Sequence, residues 1–112
     1  MAIASYAAEV RRVREAGVET ADIARATGVD PTTVSAWLHA RRNPTGDRRL
    51  RLIELSAIVE RLAATIDPNY VPIWLAKPVA ALANRRPIEV IADGGYQQVL
   101  QVVDQLESDS FA

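Results

Sequence analysis

A chain of 112 residues suits one small domain, or two helical modules sharing a core. With no cysteine and one histidine, disulfides, thiol catalysis, cysteine-ligated metals and multi-histidine metal sites are excluded. Hydrophobic residues at 49% and charged residues at 24% are ordinary for a globular domain, and a net charge of -1 excludes a uniformly basic nucleic-acid coat protein.

The predicted elements are all helices. Residues 5–16 form a first helix with Tyr6, Val10 and Val13 on one stripe, stopped by Gly17. Thr20 precedes a short helix over 21–27, with Ile23 and Ala24 inward, ended by Gly28. Asp30 and Pro31 open a third helix to about residue 40, as N-cap and first-turn proline. Asn43-Pro44-Thr45-Gly46 reads as a turn, and Asp47 as the cap of a long helix over 48–66. The apolar residues of that helix spread beyond one stripe, so it is expected to pack on two sides.

The rear half is divided by proline. A helix is expected from about Asn69, with Pro72 in its first turn and Trp74 and Leu75 inward. Pro78 is expected to start a short helix ending near Ala83, and Pro87 another ending near Ala92. Asp93-Gly94-Gly95 breaks the chain before a last amphipathic helix from Tyr96 to about Glu107. Residues 108–112 read as a tail anchored by Phe111. No run alternates as a strand does, so the fold class is all-α.

Charge is divided unevenly. Residues 1–51 carry nine arginines against six acids, net +3; residues 52–112 carry four basic residues against eight acids, net -4. Two surfaces with different partners are expected. No apolar run approaches the roughly 18 residues of a membrane span, so no membrane partner is expected. The opening MAIASYAAEV carries Glu9 early and no basic leader, and a cytoplasmic protein is expected.

The segment ETADIARATGVDPTTVSAWLHARRNP has the pattern of a helix-turn-helix. Ala24 is small enough for a close helix crossing, Gly28 permits a left-handed turn, and Val29 and Val34 plug the junction. Pro31, Thr32, Ser35 and Ala36, with His39 one turn on, would then face the major groove. Arg41, Arg42 and Arg48, with Arg49 and Arg51, would meet phosphates. The reading surface is poor in Arg, Asn and Gln, so a pure scaffold role stays open beside operator DNA binding.

The stretch IWLAKPVAALANRRPIEVIADGGYQQVLQVVDQL resembles the toxin-binding domain of MbcA/ParS/Xre-type antitoxins. Trp74-Leu75, Pro78, Leu82, Arg86-Pro87, Gly94 or Gly95 and the final amphipathic helix carry the likeness, and RLRLIELSAIVERLA resembles that family's linker helix. Arg85-Arg86 departs from it, since many relatives have small residues before the proline. The resemblance implies a three-part chain: 1–46 a helix-turn-helix region, 47–66 a linker and dimerisation helix, 67–112 the toxin-binding domain. It implies a non-enzyme with no cofactor and no small-molecule substrate. Its partner would be a cognate RES-fold toxin that consumes NAD, and the complex would repress its own operon.

An acidic end with no cation fits that role. Asp104, Glu107, Ser108, Asp109, Ser110, Phe111 and Ala112 are the expected toxin-binding residues. An NAD cleft must be electropositive to hold a diphosphate, so carboxylates can occupy it while Phe111 fills an apolar recess. The long helix suggests a homodimer. Two other functions stay open: a stand-alone helix-turn-helix repressor, and an adaptor that uses the motif only to oligomerise.

Overall fold

The computed structural model describes residues 5–110, and within them the fold is all-α, as expected. Seven helices are present among the described residues: α1 (Ala7–Glu15), α2 (Thr20–Thr27), α3 (Pro31–Leu38), α4 (Gly46–Thr65), α5 (Val71–Ala76), α6 (Pro87–Ala92) and α7 (Tyr96–Ser110). Short 3-10 turns at Pro68–Tyr70 and Ala80–Leu82 join the rear helices.

Local chemistry sets most boundaries. The Ser5 hydroxyl accepts from the Ala7 amide at 3.2 Å, and α1 begins at Ala7 with Tyr6 at its N-cap position, so Ser5 lies outside the helix. Gly17 and Gly28 end α1 and α2 at positive φ (96° and 78°). Asp30 caps α3, accepting from the Thr33 amide at 3.0 Å and the Thr33 hydroxyl at 3.2 Å. Pro31 and Pro87 stand in first turns, where the missing N–H has no bond to lose.

Three expectations are corrected. Thr45, in extended conformation, holds the N-cap position of α4, so Asp47 lies in the first turn and not at the cap. Pro78 starts no helix: Lys77 and Val79 are extended, and Val79 bridges Arg85, its N–H donating to the Arg85 carbonyl at 3.0 Å. Ala83 and Asn84 turn that loop at φ 58° and 64°. The last helix runs on through Ser110, helped by the Gln105 amide donating to Asp109 at 3.2 Å.

The core is one continuous cluster. It runs from Val10 and Val13 of α1 through Ile23, Val34 and Trp37 to Leu52, Leu55, Ile58 and Leu62 of α4. It continues into Trp74, Leu75, Ile88, Ile91, Val99 and Val103. α4 is the hub, touching α1, α2, α5, α6 and α7, while α2 also packs directly on α6. Ser56 is the buried polar group on α4. Its hydroxyl donates to Glu9 at 2.6 Å and accepts from Arg12 at 3.3 Å, so nothing is left unpaired.

Candidate nucleic-acid and protein interfaces

The front interface is built on α2, the Gly28 turn and α3. Trp37 is 2% exposed and Val34 is buried, so α3 rests on the core by that side. Pro31 and Thr32 are exposed and Ser35 is half-buried. Ala36 is a correction: expected to be exposed, it is only 8% exposed. It does not belong to a reading surface. His39 is exposed at the end of α3, its Nδ1 2.9 Å from the Ser35 carbonyl, to which the tautomer protonated there donates.

Arg41, Arg42 and Arg48 are exposed on the loop after α3 and the start of α4. A polar notch of about 370 Å³ lies there, with Thr33, Asn43, Thr45, Arg42 and Arg48 among its walls. Arg51 does not join them: it is tied to Glu54 at 2.9 Å and mostly covered.

Ion pairing separates the cations into two sets. Among the described residues, Arg11, Arg25, Arg41, Arg42, Arg48 and Arg49 have no side-chain partner. From position 61 on, every cation has one: Arg61 with Asp104 and Glu107, Arg85 with Asp93, Arg86 with Glu89, and Lys77 with the Tyr70 hydroxyl. Unpaired cations are therefore concentrated in the front half, and four of the six lie between positions 41 and 49. An anion meeting these six displaces no internal acid.

The rear interface centres on α7. Asp104 and Glu107 both accept from one nitrogen of Arg61 on α4. These hydrogen bonds, that to Asp104 first, hold the Arg61 guanidinium above its ordinary pKa, against partial desolvation that works to lower it. Two of the expected toxin-binding carboxylates are thus engaged within the chain. Ser108 and Asp109 are exposed and Ser110 ends the helix. Phe111 and Ala112 lie outside the described residues.

Beside α7 opens an apolar groove of about 720 Å³, floored by Leu82, Val90, Val102 and Leu106 and rimmed by Gln101 and Gln105. Trp74 and Leu82 are core residues, and Tyr96 packs against the core. No cluster of three or more potential metal ligands occurs among the described residues, and no helix there is long and apolar enough to cross a membrane.

Sequence reasoning missed the Arg61 link and the exposure of two large side chains on α4, Leu50 and Ile53. The acids at 104 and 107, spaced one helical turn apart, were a signal that one cation could hold both.

Known proteins bear on this architecture. Residues 67–108 match the family model described as the antitoxin Xre/MbcA/ParS C-terminal toxin-binding domain. The mycobacterial cidal antitoxins MbcA of Mycobacterium tuberculosis (strain ATCC 25618 / H37Rv) and Mycobacterium bovis (strain ATCC BAA-935 / AF2122/97) are each 25% identical over 99 residues, 88% of this chain and 88% of each relative. A chain of the crystal structure of the M. tuberculosis MbcT–MbcA toxin–antitoxin complex superposes with a TM-score of 0.84 at 24% identity, covering 98% of this chain and 100% of that one. That likeness extends the shared fold beyond residues 67–108 into the front half. Residues 67–108 are thus similar to the toxin-binding domain of Xre/MbcA/ParS antitoxins, and the whole chain shares the fold of a solved MbcA.

Proposed function

We propose that the chain is the antitoxin of a toxin–antitoxin system. Residues 67–112 dock on a cognate RES-fold toxin and block its NAD-consuming site. Residues 47–66 link and dimerise, and residues 1–46 address operator DNA so that the complex represses its own operon. The observation that supports the reading is the match of residues 67–108 to a toxin-binding-domain family model, on an all-α frame whose last described helix is acidic. A solved relative of the same fold comes from a toxin–antitoxin complex. The chain works in the cytoplasm by occupying another protein's cleft and performs no chemistry of its own.

In this mechanism α7 is the inserted element. Arg61 holds it against α4 through Asp104 and Glu107, which leaves Asp109 exposed. Asp109 opposes the positive potential a diphosphate pocket needs, and Phe111 is proposed to fill apolar space. At the other end, Pro31, Thr32, Ser35 and His39 approach base edges while Arg41, Arg42 and Arg48 meet phosphates. The unpaired arginines favour DNA contact over a purely structural helix-turn-helix, since none must abandon an internal acid to reach a phosphate.

Co-expression with the neighbouring toxin gene tests the antitoxin reading: growth and cellular NAD are restored by the full chain and lost without it. A chain lacking residues 108–112 that still neutralises fully rules out the plug. A gel shift on the upstream promoter tests the DNA reading. If four arginines neutralise phosphates, log K falls against log salt with a slope of about -3.6. A stand-alone repressor gives the shift but captures no toxin.

A further inference from the structure

Arg51, expected among the phosphate-binding arginines, has other surroundings in the fold. Its Nη1 donates to Glu54 at 2.9 Å, and the two side chains are only 19% and 14% exposed. Its other terminal nitrogen is turned toward the rear domain. A methyl placed on Gly94 would stand 3.1 Å from Nη2 and 3.8 Å from Cζ, so the guanidinium lies over that bare glycine. A covered ion pair stabilises little more than apolar side chains of the same size would. Stability alone therefore does not account for a charged fork at this place.

The glycine it covers opens the turn into α7, and each residue of that turn is held by a different element. Asp93 pairs with Arg85 of the preceding loop. Gly94, at φ 88°, lies under Arg51 of α4. Gly95 meets α6, where the Val90 side chain stands 2.5 Å from the place a methyl would take. Farther along, Arg61 of α4 takes Asp104 and Glu107. Arg51 and Arg61 are ten residues apart, and so are Gly94 and Asp104. α7 thus runs beside α4 in the same direction, bracketed by two arginines across about 15 Å of helix rise.

We propose that Arg51 is a positioning residue for toxin docking. By seating the turn before α7 it fixes the angle at which that helix presents its acidic end, and it touches no toxin itself. The inference rests on the proposed docking of residues 67–112 and gives a task to a side chain of α4 outside them. Lysine is a poor substitute: its ammonium can keep Glu54, but it has no flat face to lay over Gly94.

The test uses full-length variants and the cognate toxin, with association and dissociation rates read separately. Arg51→Met keeps the aliphatic stem and removes the fork. It speeds toxin release about tenfold and leaves association within about twofold, because the fault lies in the fit of the bound state. Arg51→Lys speeds release by about threefold. A chain that is merely less folded captures less toxin but releases it at the wild-type rate, and that result overturns the proposal. Loss of promoter affinity with release unchanged returns Arg51 to the phosphates and also overturns it. Gly94→Ala closes a double-mutant cycle. Alone it speeds release by pushing the fork aside, and in the Arg51→Met background it adds less, since the fork is already gone. Effects that simply multiply show that the two residues act separately and refute the inference. Circular dichroism confirms that each variant is folded, and Arg51→Lys with Gly94→Ala carries the comparison where Arg51→Met is not. A wild-type chain that captures no toxin fails the docking reading itself. Capture by the wild type that none of these substitutions disturbs fails this inference alone.

Discussion

The two halves of the molecule use charge in opposite ways. In the front half, six arginines stand in solvent with no side-chain partner among the described residues, four of them within nine residues. In the rear domain each cation is fastened to a carboxylate or hydroxyl of the same chain. The front keeps its charge available for something outside, while the rear spends its cations on shape and leaves a helix end from Asp109 onward without one. A whole-chain charge of -1 hides this division, and net charge alone says little about what either surface meets.

The halves nonetheless share one core, and the largest expected effect tests that. Trp37→Ala removes a buried indole from the front and should cost about 3–5 kcal/mol in chemical denaturation. Because the hydrophobic cluster runs unbroken from Val10 to Val103, the fluorescence of Trp74 should report the same shifted transition as circular dichroism. Two separate transitions would show that the halves unfold alone.

A rear-side counterpart is smaller. A methyl added at Gly95 would stand 2.5 Å from the Val90 side chain and 3.0 Å from its carbonyl oxygen. Gly95→Ala should therefore destabilise by about 1–3 kcal/mol, and should weaken toxin capture more than promoter binding. Asp30→Ala removes the α3 cap and should cost about 1 kcal/mol, with the opposite bias: promoter affinity falls and toxin capture holds.

Arg61→Met should give the smallest stability change. It lowers the denaturation midpoint modestly, by an amount that shrinks in high salt, since the link it removes is exposed and screened. The pKa of Arg61 is raised on folding, so its contribution is fully present below the ordinary guanidinium value and is lost only as pH rises through the raised one. The wild-type minus variant difference should therefore be flat across neutral pH, so far as the guanidinium itself is concerned.

Most helices were legible because their ends are chemically local. Asp30-Pro31, Pro87 and the glycines at 17 and 28 each act within a few residues. The loop after α5 was not legible, because its shape is closed by a bridge between Val79 and Arg85 and turned by Ala83 and Asn84 in a conformation that favours glycine. Ala36 was misplaced for a related reason: what lies over a small side chain depends on neighbours far along the chain. The Arg61 link joins residues 43 and 46 positions apart, a distance that helical periodicity does not span.

The direct packing of α2 on α6 has a consequence for engineering and for descent. The front helices and the rear domain cannot be traded between paralogues as interchangeable cassettes. A hybrid spliced at the start of α4 inherits one parent's α2 against the other parent's α6. Such hybrids should fold well only when both sides of that contact come from one lineage, so changes in the front and rear surfaces must be accommodated through the same packing.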